Sequence, residues 1–358
     1  MRAVLTAAVA CVIALTAAPA HAKPPRDFFG VVYDGAVASA SPSTQDAEWK
    51  RMASTGVRTA RTVFSWADAQ PAQDQPPSFA ATDPVVARAA ADGIDVLPVV
   101  MYAPAWARED PQNGASPPAQ PDGYVTYLRA LVARYGPLGS FWLEHPELPK
   151  RPLRTWQIWN EPQLRYQWAD PDWQPSYGKL LHAAHDALKQ ADPGSTVVLA
   201  GATNFAWDAL QSLYDKGNIK GEFDVAALNP YTGSAGRVLV AVHLFRAVLH
   251  KHGDGRLPLW ITELAWPASK GHVKAPAGLK TIVTTDKGMA LRLTRAYTLL
   301  AKSRAVQRAY WYTWASGYKS AGGIFDFTGL ERFDGTRSTA TRALRAYRKV
   351  ARALSSPG

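Results

Sequence analysis

Cysteine is nearly absent from these 358 residues; the single one is Cys11. It lies inside an N-terminal segment that reads as removable, so the remaining chain has no disulfide and no thiolate chemistry. Metal-ligand spacings are also missing. The eight histidines form no H-x-x-x-H or H-E-x-x-H pattern. His182 and His185 share a helix at i and i+3, but no acidic partner for them is identifiable from sequence. There is no G-x-S-x-G elbow of an esterase and no Gly-rich strand-to-helix turn of the dinucleotide or P-loop kind. Neither a metal nor an organic cofactor is expected. Acidic residues are outnumbered, 29 against 40 Lys and Arg, for a net charge of +11. The cations are scattered except in the last helix, where Arg342, Arg345, Arg348, Lys349 and Arg352 lie opposite Leu344, Tyr347 and Ala351. That is the solvated face of an amphipathic helix, with contact to an anionic cell-envelope polymer as its functional alternative. No nucleic-acid motif accompanies the charge, and no nucleic-acid partner is expected.

Long apolar runs are scarce as well. The one at the N-terminus, "MRAVLTAAVACVIALTAAPAHA" (1–22), has one cation, Arg2, an apolar stretch and then Ala20-His21-Ala22. This is the pattern of a secretory signal cleaved after Ala22. The run is short for a membrane span of about 20 residues and is followed by Pro24-Pro25. A secreted or envelope-associated protein is expected, without stable membrane insertion once the signal is removed. An exported chain without disulfides needs a large core, and residues 23–358, 336 in number (358 − 22), suffice for one. No linker divides them, so one domain and a monomer are expected.

What the chain does have is alternation. Apolar strand-like runs at 28–35, 57–66, 94–102, 155–159, 196–201, 223–229, 257–264 and 308–314 alternate with amphipathic helical stretches. The helices are read at 46–56, from a Thr82 cap through Ala91, then at 124–136, 177–190, 207–216, 237–252, 287–303 and 339–354. Near-continuous apolar runs suit parallel strands buried on both faces. Eight such units most simply close as a single (β/α)8 TIM barrel of the α/β class, with an open doubly wound sheet as the runner-up. The long connections 103–122, 163–176, 265–286 and 315–338 follow strands. In a barrel they gather on the C-terminal face, where active sites are built.

Two strands end in carboxylates. The fourth runs "TWQIWNEP" and delivers Asn160 and Glu161; the seventh runs "WITELAW" and delivers Glu263. Paired carboxylates across a cleft are what glycosidic cleavage requires: one protonates the leaving oxygen, and the other attacks the anomeric carbon or activates water. Aromatic residues follow the strands too, among them Trp66, Tyr102, Trp106, Tyr166, Trp168, Trp173 and Trp266, and their rings can stack on sugar faces. Asp34 and Asn204 can bond sugar hydroxyls or cap turns.

From Phe28 to the last helix the chain resembles the clan A retaining glycoside hydrolases, the (β/α)8 group that includes families 5 and 39. "WNEP" is similar to that clan's acid/base motif and "TELAW" to its nucleophile motif. The resemblance implies Glu161 as general acid/base, Glu263 as nucleophile and Asn160 as donor to the sugar 2-hydroxyl. It also implies Arg61 near the nucleophile, Tyr231 as its hydrogen-bond donor, and Trp314, with Trp311 as competitor, as the floor beneath the attacked sugar. Asn229 stands where many members have histidine before the Pro-Tyr pair. Trp168 and Trp173 are the leaving-side candidates. The expected function is hydrolysis of a poly- or oligosaccharide with retention. The rivals are transglycosylation, a barrel that binds glycan without cutting it, and an envelope structural protein held by its basic residues.

Overall fold

The computed structural model describes residues 23–355. The expected signal, 1–22, lies outside the described residues. Nine parallel strands form one sheet: β1 Phe29–Val32, β2 Thr59–Ser65, β3 Asp95–Met101, β4 Thr155–Ile158, β5 Thr196–Val198, β6 Ala202–Thr203, β7 Ala226–Asn229, β8 Leu259–Leu264 and β9 Arg308–Trp311. Their order is β5-β4-β3-β2-β1-β9-β8-β7-β6. β5 and β6 are two halves of one barrel strand, interrupted at 199–201. A bridge between Val198 and Val225, with the Leu199 amide donating to the Val225 carbonyl at 2.9 Å, joins the two ends of the sheet. The nine segments therefore make an eight-position barrel, the α/β fold expected.

The main crossover helices are Pro42–Thr55, Asp83–Ala91, Asp122–Tyr135, Trp173–Ala191, Ala206–Lys216, Ala235–Lys251, Asp286–Ser303 and Arg342–Ser355. Local chemistry sets their ends. Ser41 accepts a hydrogen bond from the Thr44 amide at the start of the first, and Gly56, at φ 104°, closes it in the left-handed conformation that favours glycine. Thr82 does not cap its helix as expected; its hydroxyl is engaged with the Phe79 carbonyl and the Tyr135 hydroxyl instead. Among the described residues no helix is long and apolar enough to cross a membrane.

The last unit departs from the expected order. Residues 338–340 are not helical. A small sheet forms there from β10 Ala315–Ser316, β11 Glu331–Phe333 and β12 Ser338–Ala340. Asp334 and Gly335 make the β11–β12 turn: the Asp334 carboxylate accepts the Thr336 and Arg337 amides, and Gly335 takes φ 109°. This turn chemistry outweighs the helix propensity of the residues after it.

The barrel interior is filled by Val32, Leu97, Val198, Val225, Ala227, Trp260 and Tyr310, while outward-facing strand residues pack beneath the helices. Tyr310 needs space that only a missing side chain provides. A Cβ on Gly30 would stand 2.5 Å from its ring, and its hydroxyl is tied to Thr59 at 2.9 Å. Gly30→Ala is expected to destabilise the fold by about 1–3 kcal/mol through overpacking, measured by reversible denaturant unfolding; a change below experimental error would show that the ring relaxes freely.

Candidate active site

The C-terminal ends of the strands converge on a cavity of about 290 Å³, whose lining includes Asp34, Arg61, Asn160, Glu161, Tyr231 and Glu263. Arg61 enters from β2 and is almost wholly buried, with 4% of its surface exposed. A guanidinium there needs partners for its fixed fork of donors. It donates from Nε to Gln157 Oε1 at 2.7 Å, from Nη1 to Glu263 Oε1 at 2.8 Å and from Nη2 to Asn160 Oδ1 at 2.8 Å.

Those bonds orient the neighbouring groups. Because Arg61 can only donate, the oxygen of the Asn160 amide must face it, which leaves the Asn160 NH2 for other acceptors. The second oxygen of Glu263 accepts from the Tyr231 hydroxyl at 2.7 Å. Glu263 is thus held at both oxygens, by a guanidinium from β2 and a phenol from the end of β7.

Glu161 has a different environment. It is buried and accepts one side-chain hydrogen bond, from Asn229 Nδ2 at 2.8 Å. Burial, and next the negative charge of Glu263, push its pKa up from 4.5 to about 8; the Asn229 donor and Arg61 pull the other way. Asn229 is fixed in turn, since its oxygen accepts from the Thr262 hydroxyl at 2.7 Å. Asp34, from the end of β1, is a third carboxyl on the cavity, half-buried and bonded to Thr313, with its pKa raised chiefly by desolvation.

The backbone at this rim is unusual. Tyr102 and Trp159 both have φ 64°, and Glu161 has φ 48°. Bulky residues in the left-handed region cost on the order of 1–3 kcal/mol each. Neighbouring contacts hold them: the Trp159 amide donates to Val100 O, and the Glu161 amide to Gly201 O at 3.1 Å. Gly201 lies in the interruption between β5 and β6. A Cβ there would meet the Thr262 hydroxyl at 2.3 Å and the Asn229 amide oxygen at 2.6 Å, so the network around Glu161 requires glycine at this position.

The expected polar residues Arg61, Asn160, Glu161, Tyr231 and Glu263 are brought together. The expected tryptophans are not among the residues lining the cavity. Trp314 is buried against the first helix and donates to Glu48. Trp311 donates to the Thr328 carbonyl and tilts against Trp266. Trp168 is buried edge-on between Trp159 and Tyr177 and donates to Ser176. Trp173 opens the helix that follows, half-buried. Trp66 packs edge-on against Trp106, and their indole nitrogens bond the Gln70 side chain and carbonyl. Packing and a polar partner for the ring nitrogen account for five of these six, and Trp173 is placed by its position in the first turn of its helix. The cavity's aromatic wall is Tyr102, Tyr166, Tyr312 and Phe325.

Tyr312 and Phe325 were not anticipated. Alternation could have indicated Tyr312: Tyr310 fills the barrel interior and Trp311 faces the helices, so 312 points inward again. Asn229 ends an apolar strand just before Pro230, as Asn160 and Glu161 do before Pro162. His182 and His185 lie away from the cavity, and the acidic partners the sequence did not reveal are Asp186 and Glu222.

No protein-family model and no curated protein matches the chain. Its fold nonetheless recurs in solved structures. A monomeric β-xylosidase from Caulobacter crescentus CB15 superposes with a TM-score of 0.66 at 17% identity, over 92% of this chain and 69% of that one. A family 39 glycoside hydrolase from the gut symbiont Bacteroides cellulosilyticus WH2 gives 0.64 at 19%, over 92% and 64%. The chain thus spans about two thirds of the length of these neighbours. The GH53 catalytic domain of Ignisphaera aggregans, matched at 0.58 and 21% identity, is covered over 97% of its length, against 91% of this chain. The resemblance suggested by "WNEP" and "TELAW" is borne out at the level of fold: the chain has a barrel similar to those of these glycoside hydrolases.

Proposed function

We propose that the chain is an exported glycoside hydrolase that cleaves a poly- or oligosaccharide by double displacement, with Glu263 as nucleophile and Glu161 as acid/base. The observation that carries this reading is the unlike setting of two carboxyls on one cavity. Glu263 accepts hydrogen bonds from Arg61 and Tyr231, whereas burial pushes Glu161 up to about 8. One is held for attack, and the other keeps its proton at neutral pH. The likeness in fold to glycoside hydrolases adds support.

In the first step a Glu263 oxygen forms a bond to the anomeric carbon as the glycosidic C–O bond breaks. The departing oxygen takes the Glu161 proton. Arg61 and Tyr231 keep Glu263 from turning, and the free NH2 of Asn160 is placed to donate to the sugar 2-hydroxyl. Esterified Glu263 no longer carries the charge that helped raise Glu161, so the pKa of Glu161 falls. As base it then takes a proton from water, whose oxygen attacks the anomeric carbon and releases Glu263. Two inversions leave the configuration retained. Asp34 is an acceptor for sugar hydroxyls at the β1 side, and Tyr102, Tyr166, Tyr312 and Phe325 offer ring faces. The reading includes action as a monomer after cleavage behind Ala22; intact mass of the secreted protein checks the cleavage, and a form starting at Met1 refutes it.

Product NMR on an oligosaccharide is expected to show the retained anomer first; an inverted product overturns the mechanism, and elongated products indicate a sugar acceptor in place of water. Glu161→Gln and Glu263→Gln are each expected to lower kcat by at least about 10²-fold, and unchanged turnover in either refutes the assignment.

The pH dependence follows from the direction of the Glu161 shift. The reactive form is protonated, so kcat/KM is expected to fall as pH rises through about 8. Asn229 donates to the ionised carboxylate and lowers its pKa. Asn229→Ala is therefore expected to move the alkaline limb to higher pH, read from a full kcat/KM profile. A limb that stays in place, or moves down, would show that Asn229 does not tune the acid.

A further inference from the structure

Away from the cavity, four side chains from two segments meet on the protein surface. His182, His185 and Asp186 project from the helix Trp173–Ala191, one turn apart. Glu222 comes from the turn that leads into β7. His182 Nδ1 lies 3.0 Å from Glu222 Oε1, and His182 Nε2 lies 3.7 Å from Asp186 Oδ2. His185 Nδ1 stands 3.2 Å from Asp186 Oδ1 and 3.5 Å from Glu222 Oε2. Glu222 is the informative member. Its side chain is only 16% exposed, and both its oxygens face imidazoles. Among the described residues no Lys or Arg is within ion-pair distance of Glu222 or Asp186. With neutral imidazoles the group carries two negative charges and no cation.

We propose that His182, Asp186 and Glu222 bind one divalent transition ion of the zinc class, with His185 hydrogen-bonded to Asp186 and close to Glu222. One donor atom from each of the three lies within 4.8 Å of the others. Tetrahedral zinc, with bonds of roughly 2.0–2.2 Å, places its ligand atoms about 3.3–3.5 Å apart. The His182 contacts of 3.0 Å and 3.7 Å bracket that edge. They use different ring nitrogens, and the ring, at 60% exposure, is free to turn one of them toward both carboxylates. Three protein ligands leave a fourth position for water. His185 supplies the outer support that ligating carboxylates ordinarily have. Imidazole among the donors favours zinc over calcium, which takes six to eight oxygens. The ion would join the helix that follows β4 to the turn that precedes β7, so its effect is on stability and its readout does not depend on catalysis.

The test titrates Zn²⁺ into the chelator-treated full-length mature protein, with calorimetry for stoichiometry and thermal melting for stability. One ion per chain is expected, with a rise in melting temperature that EDTA reverses and that Ca²⁺ does not reproduce. His182→Ala and Glu222→Gln are each expected to weaken binding by at least about tenfold, and His185→Ala by about tenfold through lost outer support. These positions are on the surface, so circular dichroism should show the variants folded. His243→Ala, an exposed histidine on another helix, should bind as the parent does. Absence of saturable Zn²⁺ binding, or binding indifferent to His182→Ala and Glu222→Gln, overturns the proposal.

Discussion

A single buried guanidinium organises the mouth of this barrel. Arg61 rises from β2 and reaches three partners, Gln157 and Asn160 from the β4 segment and Glu263 on β8. Taking such a cation out of water is costly unless every strong donor direction is met, and each bond it makes fixes the orientation of the group it meets. Its carboxylate partner is held in place, its amide partner is turned so that the NH2 is free, and its charge tempers the rise in the pKa of Glu161. Without Arg61, the three carboxyls that line the cavity, Asp34, Glu161 and Glu263, would have no cation among the lining residues.

A second constraint is the break in the fifth barrel strand. An uninterrupted ladder through 199–201 would commit the Gly201 carbonyl to a neighbouring strand. In the interrupted form that carbonyl receives the Glu161 amide, and the absence of a side chain leaves room for Asn229 and Thr262. The left-handed turn at Trp159 and Glu161 is thus supported from the adjacent strand, by backbone at its interruption.

Much of this was legible in the sequence because it rests on patterns of short range. Apolar runs alternating with amphipathic ones imply parallel strands and crossovers, and a polar residue at the end of an apolar run marks the mouth. That logic locates Asn160, Glu161 and Glu263, while Arg61 and Tyr231 were indicated by the family resemblance alone. It fails for tryptophan. An indole near the mouth can lie on sugar or on protein, and the difference depends on which way a loop turns. Trp66, Trp168 and Trp314 all found a protein acceptor for the ring nitrogen, which sequence spacing does not show. Of the acidic partners of His182 and His185, Asp186 stands one helical turn from His182 and was within reach of the spacing, whereas Glu222 lies far along the chain and arrives through the fold. The β11–β12 hairpin was missed because one Asp-Gly turn outweighed the residues that follow it.

The gap in the fifth strand has a further consequence. The Ala200 amide, lacking a strand partner, donates to the Tyr177 hydroxyl at 2.9 Å, and that hydroxyl donates in turn to the Ile158 carbonyl at 2.9 Å. A side chain from the helix Trp173–Ala191 therefore completes the backbone pairing between two strands. The helix cannot lift away as an independent unit without exposing amides on both. Coupled protection against solvent exchange at the fourth strand, the fifth strand and this helix is the expected consequence of that shared hydroxyl. The segment that carries Glu161 to the rim is thus tied to a tyrosine on the far side of the wall.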